Sequence, residues 1–225
     1  IGVALATDVV LIMVAIIGGR ILPAFTRNAL AQGHLNAHLQ IRPWIEKLSL
    51  LSLLAMGIAD AAMPLTPLSG GITLFAGIMQ VLRIGQWQGH RTFAMPLLWV
   101  LHLGYAWLAL GLLLKAAWLL FALPLAANWI HALTVGAFGT MILAVMTRAS
   151  LGHSGRPLVA SRAIVAAYGI VSLAAVTRVF LPVLLPGHYL HVILASGLLW
   201  IIAFALFLAV YTPIFLQPRR DGKPG

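Results

Sequence analysis

Seven long apolar runs follow one another along the chain, and they constrain its fold more than any other feature. Each run has close to the roughly 20 residues that an α-helix needs to cross a bilayer. A soluble domain carries about 25% charged residues, whereas this sequence of 225 residues is 8% charged and 62% hydrophobic. The sequence therefore predicts an all-α bundle of about seven transmembrane helices in a lipid bilayer. The predicted spans cover residues 3–22, 45–63, 68–84, 95–114, 129–147, 163–185 and 190–216.

The basic residues predict the orientation of these spans. Twelve of the 14 Lys and Arg residues lie in the connection 20–47, in those after the third and fifth runs, and in the C-terminal tail. Cytoplasmic connections are enriched in Lys and Arg, so the pattern predicts an outside N-terminus and a cytoplasmic C-terminus. Lys115 and Arg178 are the two exceptions. The basic residues form no helical face, which argues against a nucleic-acid partner.

The organisation along the chain is that of one transmembrane domain, 1–225, with a cytoplasmic tail at 217–225. Because the sequence begins inside an apolar run and not with Met, we expect further spans upstream. The run 116–123 is too short to cross a bilayer and precedes Pro124, so it predicts an interfacial segment. Gly18, Gly19 and Pro23 are expected to loosen the end of the first helix. Small residues at every fourth position of the fifth span predict close helix approach. They are Ala132, Gly136 and Thr140.

Titratable residues at membrane depth are costly and mark candidate sites. Most lie at the predicted outer side of five different spans. They are Asp8, Asp60, His131, Arg178, His188 and His191. One interpretation is an ion pair of Arg178 with Asp60 or Asp8. The other is a cofactor or proton site, in which His131 and His191 could ligate a haem iron from opposite faces or bind copper, which imidazole suits.

A second group of candidates lies deeper or at the predicted cytoplasmic side. His102 is alone in the fourth span, with Tyr105 on the same helix face. The segments 18–28 and 146–157 mix Gly, Arg, hydroxyl and amide residues, and arginine forks at helix ends suit carboxylates such as haem propionates. The candidates there are Arg20, Arg27, Asn28, Arg148, His153 and Arg156. His34 and His38 have metal-ligand spacing but lie in a connection, where a solvated pair is the simpler interpretation. The chain has no cysteine, which excludes disulfides, cysteine-ligated clusters and thiol catalysis within it.

Four stretches resemble the NnrS family of bacterial membrane proteins. They are "GGRILPAFTRNAL" (18–30), "PLLWVLHLGYAWLALGLLL" (96–114), "HALTVGAFGTMILAVMTRASLGHSGRPL" (131–158) and "HVILASGLLWIIAFALFL" (191–208). The resemblance implies a multi-pass protein of the bacterial inner membrane that carries haem b and copper and acts in nitric oxide metabolism or tolerance. The matching candidates are Arg20, Arg27, Asn28, His102, His131, Arg148, His153 and His191.

Two other functions stay open on the sequence alone. Asp8, Asp60 and Arg178 could serve a proton-coupled transporter of a small molecule or anion. A noncatalytic membrane assembly subunit, with purely structural histidines, is also compatible with the pattern. An oxidase or reductase of the haem–copper type needs several histidines grouped on two or three helices. Here His102, His131 and His191 occur one per span, which disfavours that class.

Overall fold

The fold is a bundle of long helices in a computed structural model that describes residues 2–33, 38–220 and 222. The first four helices are α1 (Gly2–Gln32), α2 (Pro43–Ala62), α3 (Pro67–Gln86) and α4 (Pro96–Phe121). Helix α5 joins the stretches Trp129–His131, Ala132–Gly139 and Thr140–His153, of which the second is π-helical. The last two are α6 (Arg162–Leu184) and α7 (Tyr189–Phe215). No strand occurs in the described ranges, so the predicted all-α fold is confirmed.

Local sequence signals explain where the helices start. Pro43, Pro67 and Pro96 occupy first turns, where a missing backbone N–H costs nothing. The hydroxyl of Thr66 accepts a hydrogen bond from the Ser69 backbone N–H at 3.3 Å, which caps the start of α3.

Among the residues that the structure describes, six helical segments are long and apolar enough to cross a membrane, and α2 is the seventh long helix. Helix α2 contains Glu46, Lys47 and Asp60 within 20 residues, which makes it more polar than the others. It nevertheless packs antiparallel to α3 along its length. Two contacts show this arrangement: Asp60 contacts Ser69 at one end, and Glu46 contacts Arg83 at the other. Both acidic side chains of α2 therefore have a polar partner on α3. The inside–outside orientation stays a prediction; accordingly we call the end where α1 starts the outer end and the opposite end the inner end.

Helix α4 lies at the centre of the bundle and packs against α1, α3 and α5. The predicted separation of the segment 116–123 from the fourth span was wrong, because α4 continues without a break to Phe121 and ends at Ala122, whose φ is 48°. The buried surface that α3 and α5 provide lets the helix run past the predicted end at residue 114. This correction places Lys115 inside a membrane helix.

Close helix approach at the predicted small-residue stripe of α5 is confirmed. Ala132, Gly136 and Thr140 are all buried, and a methyl group on Gly136 would lie 2.6 Å from the ring of Trp107 on α4. The predicted loosening of α1 was wrong, since this helix is continuous through Gly18, Gly19 and Pro23. These glycines instead make room for side chains of α3 and α4.

Candidate functional site: two buried polar networks and two cavities

A cluster of three charged side chains is buried near the outer end, where α1, α2 and α4 meet. Asp60 accepts a hydrogen bond from the Ser69 hydroxyl at 2.6 Å through Oδ1, and its Oδ2 binds the Lys115 ammonium. The Nζ atom of Lys115 is also 4.0 Å from Asp8 Oδ1 and 5.0 Å from the centre of the Trp129 ring. Asp8 is 3% exposed and Lys115 is 2% exposed, so these charges are compensated by one another and not by water. We call these residues the outer cluster.

The sequence offered Asp8, Asp60 and Arg178 as an ion-pair cluster at this depth, and the structure brings only the two acids together. Asp8 and Asp60 are neighbours, but the cation between them is Lys115 and not Arg178. Arg178 is on α6, which packs against α5 and α7 and so lies on another side of the bundle. Lys115 was missed because the fourth span was ended at residue 114. A signal for this pairing was present in the sequence: Lys115 is an isolated lysine in an apolar run, and two intramembrane acids on other spans need a cation as partner.

A second buried network centres on Arg83 in the inner half of the bundle. Its guanidinium donates to Glu46 Oε2 through Nε at 2.9 Å and Nη2 at 2.7 Å. Its Nη1 donates to the Ala15 backbone oxygen and to the Tyr105 hydroxyl, both at 2.9 Å. The Tyr105 hydroxyl in turn donates to Gln80 Oε1 at 2.6 Å. The network thus ties α1, α2, α3 and α4 together; we call it the inner network.

The paired glycines of α1 allow this network to form. The guanidinium of Arg83 lies so close to Gly19 that a Cβ there would collide with it, and a Cβ on Gly18 would be 3.1 Å from the Tyr105 ring. The sequence analysis counted Arg83 among the basic residues of the connection after the third run and assigned no role to Glu46. Their separation of 37 residues carries no local signal, so only the pairing of α2 with α3 reveals them.

His102 is 7% exposed on α4, and its two ring nitrogens face different helices. Nδ1 is 3.0 Å from the Leu98 backbone oxygen, and Nε2 is 3.4 Å from the Thr26 hydroxyl of α1. A carbonyl oxygen can only accept, so Nδ1 is the donor and Nε2 of the neutral imidazole is the acceptor. This tautomer leaves the Nε2 lone pair as the potential metal ligand.

A cavity of about 590 Å³ at the inner end brings together two of the predicted anion-binding residues, Asn28 and Arg148. The guanidinium carbon of Arg148 lies 3.9 Å from the centre of the Phe25 ring. Gln32 of α1 and the segments 94–98 and 158–160 also line this cavity.

The other inner candidates lie away from this cavity. Arg20, Arg27 and His153 are exposed, and Arg156 donates to Gln217 Oε1 at 2.7 Å. The His34–His38 pair cannot be assessed, because His34 lies outside the described residues.

A second cavity, of about 420 Å³, contains His131 of α5 and Arg178 of α6 near the outer end. Ser196, Gly197 and Trp200 of α7 form its opposite wall. His191 does not line this cavity: it is exposed, and its ring centre lies 6.2 Å from that of His188. The structure therefore brings His131 together with Arg178, and it does not place His191 beside them.

Within the part of the chain that the structure describes, no three His, Asp or Glu side chains group in a way that could hold a metal ion. His102 and His131 are the most enclosed imidazoles there, and His90 lines the same cavity of about 530 Å³ as His102. The sequence profile of the NnrS protein family matches residues 1–219.

The chain belongs to the NnrS family. Neither the curated proteins nor the solved structures contain a match to it. The family match covers the outer cluster, the inner network and both cavities, so all of them are parts of an NnrS-type, multi-pass membrane protein.

Proposed function

We propose that this NnrS-family protein acts in the response of bacteria to nitric oxide in the inner membrane, and that it holds a haem b in the cavity between His131 and Arg178. The main support for the haem site is the lining of that cavity, where the imidazole of His131 and the guanidinium of Arg178 face the same space. No hydrogen bond occupies the His131 ring in the described residues. The role in nitric oxide tolerance rests on the family alone.

The residues of this cavity fit the chemical needs of a haem. The imidazole of His131 offers an axial ligand, and Arg178 offers the fork that pairs with a propionate carboxylate. Val135, Trp200 and Ile201 provide apolar contact for the macrocycle. A volume of about 420 Å³ lies within the range of cofactor pockets. When bound, the haem supplies an iron site for nitric oxide, and this chain holds it and neutralises its carboxylate.

His102 is the second candidate ligand, and we assign it to copper. Its Nε2 lone pair has one weak partner, the Thr26 hydroxyl at 3.4 Å, which a metal could replace. Imidazole is a suitable copper ligand. His90 lines the same cavity as His102 and is a candidate second ligand. Two imidazoles are still an incomplete ligand set, so the assignment predicts further ligands.

The visible absorption spectrum of the purified protein, oxidised and dithionite-reduced, tests the haem assignment. We expect a Soret band that is lost in His131→Ala and weakened in Arg178→Gln. His191→Ala keeps the band if the ligand is His131 alone, and loses it if both histidines ligate as the sequence predicted. His153→Ala is the matched control, because this exposed histidine lines neither cavity. A colourless wild type from haem-replete cells would overturn the assignment and favour the assembly subunit.

Copper is tested separately by metal analysis of the same preparations. We expect His102→Ala to lose bound copper and to keep the Soret band. Equal copper in His102→Ala and in the wild type would contradict the assignment.

One observation favours the alternative of a proton-coupled transporter. Two acids and a lysine are buried together in the outer cluster, and charged groups within membrane helices commonly mark ion or proton pathways. Proton-driven substrate flux into proteoliposomes tests it, and no flux of any offered anion would count against it.

A further inference from the structure

The charges of the outer cluster do not balance. Two carboxyl groups, Asp8 and Asp60, face one ammonium group, Lys115. From the helices packed against α1, these are the charged side chains that face Asp8; helix α5 contributes the ring of Trp129 beside Lys115. An uncompensated charge inside a membrane protein is strongly unfavourable. One negative charge is in excess when both carboxyls are ionised.

The two carboxyl groups have different surroundings. Asp60 has a donor on each oxygen, the Ser69 hydroxyl on Oδ1 and Lys115 on Oδ2. Asp8 has Lys115 at 4.0 Å from Oδ1, and its Oδ2 is buried without a hydrogen-bond partner among the described residues. An unsatisfied buried carboxylate oxygen carries the full desolvation cost. The ionised form is therefore best supported at Asp60, and the neutral acid at Asp8.

We propose that the Asp8 carboxyl is a reversible proton-binding site, with Lys115 and Asp60 as its fixed counter-charges. With one proton on Asp8, the cluster is electrically neutral and each remaining charge has an opposite partner. Release of that proton leaves one ammonium shared by two carboxylates. Its neighbour Asp60 is two residues from the end of α2 at Ala62, or about 3 Å along the helix axis, so the exchange path from the cluster to the outer end is short. This inference does not depend on the haem.

Infrared spectroscopy of the protein in lipid nanodiscs tests the proposal directly. The chain has only four acidic residues, so the carbonyl stretch of a protonated carboxyl group can be assigned. At neutral pH we expect one such band, absent in Asp8→Asn and present in Glu46→Gln. Glu46 is the matched control because it is ion-paired with Arg83 outside the cluster. A wild type without the band, or a band that persists in Asp8→Asn, would overturn the proposal.

One further variant and a measurement of thermal stability keep the test informative. Lys115→Met removes the only cation of the cluster, so we expect a second protonated carboxyl and a band area that roughly doubles. Asparagine resembles the neutral acid, so Asp8→Asn should unfold at the same temperature as the wild type or higher. A clear loss of thermal stability in Asp8→Asn would show that Asp8 is an ionised partner of Lys115 and contradict the proposal. An unchanged band in folded Lys115→Met would contradict the role of Lys115 as the counter-charge of the cluster.

Discussion

The guanidinium of Arg83 on α3 rests directly against the backbone of Gly19 on α1, with no space for a side chain between them. From there it donates to the backbone oxygen of Ala15, one turn earlier in α1. A buried arginine thus reaches across to a neighbouring helix because that helix has glycine at the point of contact. The glycine pair of α1 is a packing site for a charged group and does not act as a hinge.

Gly19→Ala should destabilise the protein. The new methyl group would collide with the guanidinium, and although arginine is flexible, this one is held by Glu46, Ala15 and Tyr105. Overpacking of this kind costs about 1–3 kcal/mol. Thermal unfolding in detergent micelles, followed by circular dichroism, measures the loss.

Gly71→Ala on α3 is the matched control for that substitution. A Cβ at Gly71 has nothing within 4 Å, and alanine is favoured over glycine in a helix interior by about 0.5–1 kcal/mol. We expect this variant to be as stable as the wild type or slightly more stable. Equal losses for the two variants would show that the contact with Arg83 is not the cause.

Tyr105→Phe should also lower stability, because two polar groups lose a partner. The Tyr105 hydroxyl accepts from Arg83 and donates to Gln80, and an unsatisfied buried polar group costs about 1–3 kcal/mol. Tyr189→Phe, at an exposed tyrosine, is the control and should change the free energy of unfolding little. Unfolding by denaturant in mixed micelles compares the two. A Tyr105→Phe protein as stable as the wild type would mean that the inner network re-forms without this hydroxyl.

The sequence predicted the helices well because bilayer thickness fixes their length. Its error at the end of α4 arose at Lys115, where a charge was taken to end a span that in fact continues. The partners of Lys115 and Arg83 could not be predicted, since they depend on which helices become neighbours. The sequence predicts the same membrane depth for His131 and His191, but it does not predict which neighbouring helix each side chain faces. For this reason the cavity joins His131 to Arg178 instead.

Gly136→Ala should weaken the contact between α4 and α5. The added methyl would lie 2.6 Å from the ring of Trp107, a large side chain that is buried. We expect a loss of about 1–3 kcal/mol, measured by thermal unfolding. Gly169→Ala on α6 has open space at its Cβ and should show no loss. If both variants melt at the wild-type temperature, α5 can shift within the bundle at no cost.

The pairing of Lys115 with Asp60 predicts a specific pattern in a double-mutant cycle. Lys115→Met leaves Asp60 without its cation, and breaking a buried pair costs about 3–5 kcal/mol. Proton uptake by the cluster would reduce that loss. The double variant Lys115→Met/Asp60→Asn should lose less than the sum of the two single variants, because neither charge is then left alone; coupling of about 0.5–3 kcal/mol is typical of residues in contact.

Arg178 provides the control for this cycle, since the sequence alone made it the expected partner of Asp60. Arg178→Gln combined with Asp60→Asn should give additive losses, because the two residues lie on helices that do not pack together. Denaturant unfolding of the four proteins in each cycle measures both couplings. Coupling with Arg178 and none with Lys115 would reverse the assignment and restore the pair predicted from the sequence. Coupling with Lys115 alone would establish that α4 supplies the cation that makes two intramembrane acids tolerable.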